Sequence, residues 1–174
     1  MSDVEVIPGC EPFSHVGTTQ IGVLVVHGFT GNPSSMTHQA TAFAAAGHHV
    51  EQPRLPGHGT TLADMQTTDW SDWSGAAAAA YDRLAERAEH VVVIGLSMGG
   101  TLTLWTGLQR VDDDRLKGLI CVNAATMPQP PEVVEMLEDM ILAATNEALR
   151  SAQELANNRM SGITSGVNIP GMPF

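Results

Sequence analysis

The sequence predicts an α/β fold, in which a mostly parallel sheet with flanking helices is followed by a long C-terminal helix and a flexible tail. From residue 21, short β-branched runs alternate with longer amphipathic segments, the pattern of βαβ units. This alternation ends at residues 127–131, which hold three prolines. One long segment of helical periodicity and a tail rich in Gly, Ser and Pro follow.

The composition allows one domain with a real core and disfavours several kinds of partner. Of 174 residues, 43% are hydrophobic and 16% charged, which is ordinary for a globular protein. The net charge of −11, with a single lysine, disfavours binding to nucleic acid or anionic lipid. No apolar run approaches the roughly 18 residues of a membrane helix, and the acidic start does not resemble a secretory signal. We therefore expect no membrane span, a cytoplasmic location and two free cysteines.

Four strands and three helices are predicted before residue 127. The strands are short β-branched runs, at residues 21–26, 49–52, 91–94 and 118–123. The first helix, 34–46, has a serine cap at Ser34 and ends at Gly47. The second, 69–88, carries one apolar face that includes Trp70 and Trp73, both predicted to be core anchors. The third is 98–108, and right-handed crossovers place helices on both faces of the sheet.

The segment after the prolines differs from the rest. Residues 132–160 carry one apolar stripe and would form a helix about 40 Å long, more than a compact domain of this size usually contains. We therefore expect the helix to be kinked, to pack against a partner or to be exposed to solvent. Residues 161–174 are predicted to be a flexible tail. We therefore divide the chain into an N-terminal domain, 1–130, and a helix-plus-tail segment, 131–174.

A candidate nucleophile lies where the third strand meets the third helix. Ser97 stands between Gly95 and Gly99 in a G-x-S-x-G pattern, which lifts a serine hydroxyl clear of a sheet when it occupies a strand-to-helix turn. The pattern is weak alone, since it also fits an ordinary turn, but the strand before it and the helix after it strengthen the interpretation.

A second motif supports the first. His27 and Gly28 begin a loop, directly after the first predicted strand, that is suited to bind an oxyanion. The backbone N–H groups of Phe29 and Met98 would donate to that oxyanion. His27 is expected to shape this loop rather than act as a base.

The other polar motifs have plainer interpretations. His58, in the loop 55–59, is expected to stabilise that loop by a hydrogen bond. Residues 112–114 are expected to form a solvated acidic loop. Adjacent His48 and His49 would point to opposite faces of a strand, which argues against a metal pair. We predict no metal and no cofactor.

With these motifs in order, residues from about 11 to 130 resemble the N-terminal part of bacterial carboxylesterases and monoacylglycerol lipases of the α/β-hydrolase superfamily. The resemblance implies that Ser97 attacks a small acyl ester and that Phe29 and Met98 donate to the oxyanion. It also implies a cap and, on later strands, a triad Asp and His. The chain departs from the family pattern near residue 130, and all seven histidines precede Ser97. We therefore expect a truncated hydrolase with weak or absent turnover.

Residues from about 135 to 174 resemble the C-terminal helix and tail of the YbaB nucleoid-associated family. That family forms small dimers that associate with DNA, but the segment here is acidic, which disfavours a DNA site. A natural fusion, a gene rearrangement and a chimeric assembly would each produce such a chain. The alternative to an esterase is a non-catalytic protein that associates through the long helix or through an exposed edge strand at 118–123. A DNA-binding fragment ranks last.

Overall fold

A five-stranded sheet organises the computed structural model, which describes residues 4–126 together with Arg150 and Glu154. Residues 1–126 form one compact unit and residues 127–174 a second. Arg150 and Glu154 are helical, whereas the remainder of the predicted helix 132–160 and the tail lie outside the described residues. The division at residue 130 stays a prediction.

The sheet is mostly parallel, as predicted. Its strands are β1 (Phe13–His15), β2 (Ile21–Val26), β3 (His49–Gln52), β4 (His90–Leu96) and β5 (Leu116–Val122). Their spatial order is β1-β3-β2-β4-β5. β1 runs antiparallel to β3, and every other pair is parallel. The carboxyl ends of β2, β3 and β4 therefore meet at one edge, where their loops can form a site.

Four helices flank the sheet within the described residues: α1 (Thr37–Ala45), α2 (Leu62–Met65), α3 (Trp70–Ala85) and α4 (Met98–Gln109). The predicted helix 34–46 is in fact a 3₁₀ turn, Pro33–Met36, followed by α1. Its cap is Asn32, whose side chain accepts from the Ser34 N–H at 2.9 Å, so the prediction of a Ser34 cap is wrong. α3 starts at a capping box formed by Asp69 and Asp72.

The core lies in two layers, one on each face of the sheet. On one face, α3 and α4 pack against β2 and β4, burying Leu24, Val26, Val91, Val93, Ala80, Tyr81, Leu84 and Leu102. On the other face, α1 packs against β2, β3 and β4, burying Val23, Val25, Val50, Ile94, Met36 and Ala40. Helices on both faces were predicted, and the prediction is confirmed.

β5 forms one edge of the sheet in the described part of the chain. Leu119, Ile120 and Val122 are 39%, 44% and 39% exposed. Cys121 of β5 is exposed and Cys10 is buried, and both are free thiols as expected. No helix among the described residues is long and apolar enough to cross a membrane.

Candidate active site

Ser97 occupies a strained turn between β4 and α4. Its backbone has φ +54° and ψ −118°, and its side chain is exposed. A positive φ is uncommon outside glycine and persists only where the surrounding structure holds it. Here the Ser97 N–H donates to the Val122 carbonyl at 2.8 Å, and the Ser97 carbonyl accepts from the Gly100 N–H at 2.8 Å. The turn is therefore tied to both β5 and α4.

The two glycines of the G-x-S-x-G pattern are required by space. A Cβ at Gly95 would overlap the Gly99 carbonyl. A Cβ at Gly99 would overlap the Val26 carbonyl and lie 2.5 Å from the His27 carbonyl oxygen. Any larger residue would push the first turn of α4 away from β2 and β4. This close packing explains why the pattern has glycine on both sides of Ser97.

The loop after β2 passes directly beside Ser97. A Cβ at Gly28 would lie 3.2 Å from the Ser97 Cβ and 3.1 Å from the Leu96 carbonyl oxygen. Phe29 follows in this loop, and Met98 is the first residue of α4. N–H groups in the first turn of a helix have no intrahelical acceptor, so they are available to an anion. The structure therefore places Gly28 against Leu96 and Ser97, with Phe29 directly after Gly28 and Met98 directly after Ser97 in the chain.

His27 stabilises this loop through hydrogen bonds of its buried ring. It is fully buried, its Nε2 accepts from the Leu55 N–H at 3.1 Å, and its Nδ1 lies 2.9 Å from the Gly28 carbonyl oxygen. Nδ1 therefore carries the proton and donates it to Gly28. Burial is the main cause that lowers the pKa of His27 to about 4. His27 is neutral at pH 7, and both of its ring nitrogens are occupied, which fits a loop-shaping role.

His58 lies beside His27, in the loop after β3. Its Nδ1 donates to the Pro56 carbonyl oxygen at 3.0 Å, so the predicted loop-stabilising hydrogen bond is present. Its ring also contacts the rings of Phe29 and Trp73, with centroids 5.8 and 5.6 Å away. These ring contacts were not predicted from the sequence. The adjacency of β2 and β3, whose carboxyl ends meet, is the signal that could have revealed them.

The acidic loop 112–114 lies far from the site in the sheet. It precedes β5, at the amino ends of the parallel strands, whereas Ser97 follows the carboxyl end of β4. Asp113 is not simply solvated as predicted, because it accepts from the Tyr81 hydroxyl at 3.1 Å and from the Arg115 N–H at 3.0 Å. The Arg115 N–H is the main cause that lowers the pKa of Asp113. Through the Tyr81 hydroxyl, Asp113 links this loop to α3.

The remaining candidate residues have structural partners. His48 Nδ1 lies 2.8 Å from Thr19 Oγ1, and His49 accepts from the Gly17 N–H at 3.2 Å. The described part of the chain has no group of acidic, histidine or cysteine side chains that could hold a metal. Trp70 was predicted to be a core anchor, but it is 39% exposed and packs edge-on against Trp105.

Comparison with known proteins identifies relatives for both parts of the chain. The alpha/beta hydrolase family model matches residues 23–166. The thermostable monoacylglycerol lipase of Bacillus sp. (strain H-257) is 45% identical over 120 residues, which are 69% of this chain and 46% of that protein. A solved structure from a study of LipS and LipT, two metagenome-derived lipolytic enzymes, superposes with a TM-score of 0.70 at 46% identity, over 75% of this chain and 52% of that chain.

A different relative accounts for a shorter stretch. The nucleoid-associated protein GK0018 of Geobacillus kaustophilus (strain HTA426) is 60% identical over 42 residues, which are 24% of this chain and 39% of that protein. Both resemblances proposed from the sequence are thus confirmed. The chain spans about half the length of the hydrolases that it matches. From the family model and the fold, the chain belongs to the alpha/beta hydrolase family.

Proposed function

We propose that this chain carries the nucleophile of a serine ester hydrolase, in which Ser97 attacks the carbonyl carbon of a small carboxylic ester. The observation that carries the proposal is the positive φ of Ser97, a non-glycine residue held exposed between β4 and α4. The similarity to a monoacylglycerol lipase and to lipolytic enzymes supports an ester substrate of the carboxylesterase or monoacylglycerol type.

Attack would place negative charge on the carbonyl oxygen of the ester, which we place beside two backbone donors. We assign these donors as the N–H groups of Phe29 and Met98, because Gly28 brings the first loop against Ser97 and Met98 begins α4. Losing one such donor typically lowers the rate by about 10²- to 10³-fold. His27, Gly28, Gly95 and Gly99 would serve the site by holding these two segments together.

Turnover by these 174 residues is expected to be weak or absent. A serine hydroxyl needs a histidine to remove its proton and return it to the leaving group. All seven histidines precede Ser97 in the sequence, and His27 has both nitrogens occupied. In a model serine protease, loss of the base lowers kcat by about 10⁶-fold and leaves about 10³-fold over water. We therefore expect a serine that is exposed and oriented for attack but that reacts slowly and turns over weakly or not at all.

A fluorophosphonate probe tests this function. We expect stoichiometric labelling of the full chain, abolished by Ser97→Ala and retained in Ser71→Ala, a matched control at an exposed serine of α3. Hydrolysis of a short p-nitrophenyl ester should be slow and should also require Ser97. Absence of both labelling and hydrolysis would contradict the enzyme proposal.

A second candidate is a non-catalytic role in self-association, for which the β5 edge gives a specific reason. An edge strand with exposed apolar side chains presents unpaired backbone groups on which a second copy can pair. Sedimentation velocity of the full chain would test this, with Ile120→Lys expected to shift a dimer to monomer. A monomeric wild-type chain at micromolar concentration would argue against it.

Two further expectations stay predictions. The chain carries a net charge of −11, which disfavours a DNA-binding role despite the similarity to a nucleoid-associated protein. Retention of DNA at low salt would revive that role. The cytoplasmic location also stays a prediction.

A further inference from the structure

Three aromatic rings meet at the loop after β2, residues 27–32, which we call the oxyanion loop. The Phe29 ring is 52% exposed, and its centroid lies 5.8 Å from that of His58 and 5.7 Å from that of Trp73. The His58 and Trp73 rings contact each other edge to face at 5.6 Å. We call Phe29, His58 and Trp73 the aromatic cluster. Tilted and edge-to-face pairs at such separations are the favoured aromatic geometry, so the Phe29 ring packs against two neighbouring rings that also contact each other.

Two rings of the cluster are anchored to the same backbone oxygen. The Pro56 carbonyl accepts from His58 Nδ1 at 3.0 Å and from Trp73 Nε1 at 3.1 Å. The convergence of these two ring N–H donors on one carbonyl fixes the tilt of both rings relative to the loop after β3. Gly57, at φ +74°, allows this loop to turn tightly enough for the bonds to form.

Burial alone would favour an apolar ring, and not a histidine, at position 58. His58 is only 1% exposed, and its Nε2 has no hydrogen-bond partner among the described residues. A buried nitrogen without a partner is destabilising, whereas a phenyl ring of similar shape would avoid that penalty. What the imidazole adds is the Nδ1–H bond to Pro56, and with it a fixed ring orientation against Phe29.

We propose that His58 and Trp73 are positioning residues for the Phe29 N–H, an inference that rests on the proposed function of the oxyanion loop. Thr30, the next residue, has φ +57°, so this loop is held in a conformation that its own sequence does not favour. Solvent surrounds half of the Phe29 side chain, so its ring is held by contacts on the other half, which include His58 and Trp73. They thereby set the direction of its backbone N–H. On this proposal both residues act through Phe29 and not on the ester itself.

The test measures the order of the Phe29 amide by ¹⁵N relaxation in the full chain, alongside the rate constant and KI for labelling by a fluorophosphonate. His58→Ala should lower the Phe29 order parameter from about 0.85 to below about 0.6. It should lower the labelling rate constant by about 10- to 100-fold, part of the loss of a full oxyanion donor, with KI within about twofold of wild type. His58→Phe, which keeps the ring, should give intermediate values of both.

His38→Ala is the matched control, because His38 is an exposed histidine of α1. It should change neither readout. If His58→Ala does not fold, Trp73→Leu tests the same claim by removing the other ring from Phe29, and it should give the same two losses. A folded His58→Ala or Trp73→Leu protein with wild-type order at Phe29 would overturn the inference. The order parameter does not involve Ser97, so an unlabelled wild-type chain would refute the proposed function instead.

Discussion

Replacing Gly99 by alanine should strongly destabilise the fold, because the added methyl group has no space. Its Cβ would overlap the Val26 carbonyl and lie 2.5 Å from the His27 carbonyl oxygen. Both obstacles are backbone atoms at the carboxyl end of β2, so no side-chain rotation can relieve them. Overpacking typically costs 1–3 kcal/mol, and we take about 3 kcal/mol here, a large part of the 5–15 kcal/mol by which domains are stable.

Gly75→Ala provides the matched control. Gly75 lies inside α3, and a Cβ there would meet nothing within 4 Å. The same chemical change should therefore stabilise the protein by about 0.5–1 kcal/mol through helix propensity. The two variants should differ by about 4 kcal/mol, which at a urea m-value of about 2 kcal/mol/M separates their midpoints by about 2 M.

The assay is equilibrium urea unfolding of the full chain, followed by circular dichroism and tryptophan fluorescence. Coincident transitions from the two probes would support a two-state treatment. Equal midpoints for Gly99→Ala and Gly75→Ala would refute the argument that close packing at the turn requires glycine. A destabilised Gly99→Ala protein should also label more slowly at Ser97, because the first turn of α4 would be displaced.

Two further predictions concern buried charge and pH. Glu51 is 4% exposed and pairs with Arg83 and Arg87. Because both arginines are partly exposed, Glu51→Gln should lower the free energy of unfolding in urea by about 1–3 kcal/mol. Breaking a fully buried pair would lower it by about 3–5 kcal/mol. Glu86→Gln, at an exposed carboxylate, should leave the midpoint unchanged, and equal effects of the two would contradict the argument. Folding lowers the pKa of His27 from 6.5 to about 4, so the unfolded chain binds that proton more tightly. The contribution of His27 to the free energy of unfolding should therefore rise by up to about 3 kcal/mol from pH 4 to pH 6.5 and stay constant above pH 6.5. A His27→Gln variant with the same pH dependence of its free energy of unfolding would show that other groups cause it.

The sequence predicted the strands and the turn at Ser97 because these features are encoded locally. β2 and β3 have the predicted bounds. β2 is a short apolar run with turn residues around it, whereas only Val50 of the four β3 residues is apolar. β1 was missed because three residues carry no periodic signal, and its antiparallel pairing depends on β3. The cap of the first helix was misplaced because Asn32 followed by Pro33 is itself a helix start.

The candidate site residues lie in local motifs and could be singled out from the sequence, but the contacts among them could not. The motifs around Ser97 and Gly28 are local, and the parallel arrangement of β2 and β4 brings their carboxyl ends together. The bond from the Leu55 N–H to His27 and the ring contact between Phe29 and His58 join two loops far apart in sequence. Trp70 was misjudged because it is the first residue of α3, where the apolar face has not yet reached the core.

The central claim, that Ser97 is an acyl nucleophile, is tested most directly by intact-mass spectrometry after incubation with a p-nitrophenyl ester. Since no histidine follows Ser97 in these 174 residues, both the formation and the hydrolysis of an acyl-serine should be slow, so the incubation is long and the ester is in excess. We predict that up to one acyl group per chain accumulates, located on the peptide that contains Ser97 and absent from the Ser97→Ala variant. An acyl group that persists in Ser97→Ala, or no adduct after the long incubation, would contradict the account.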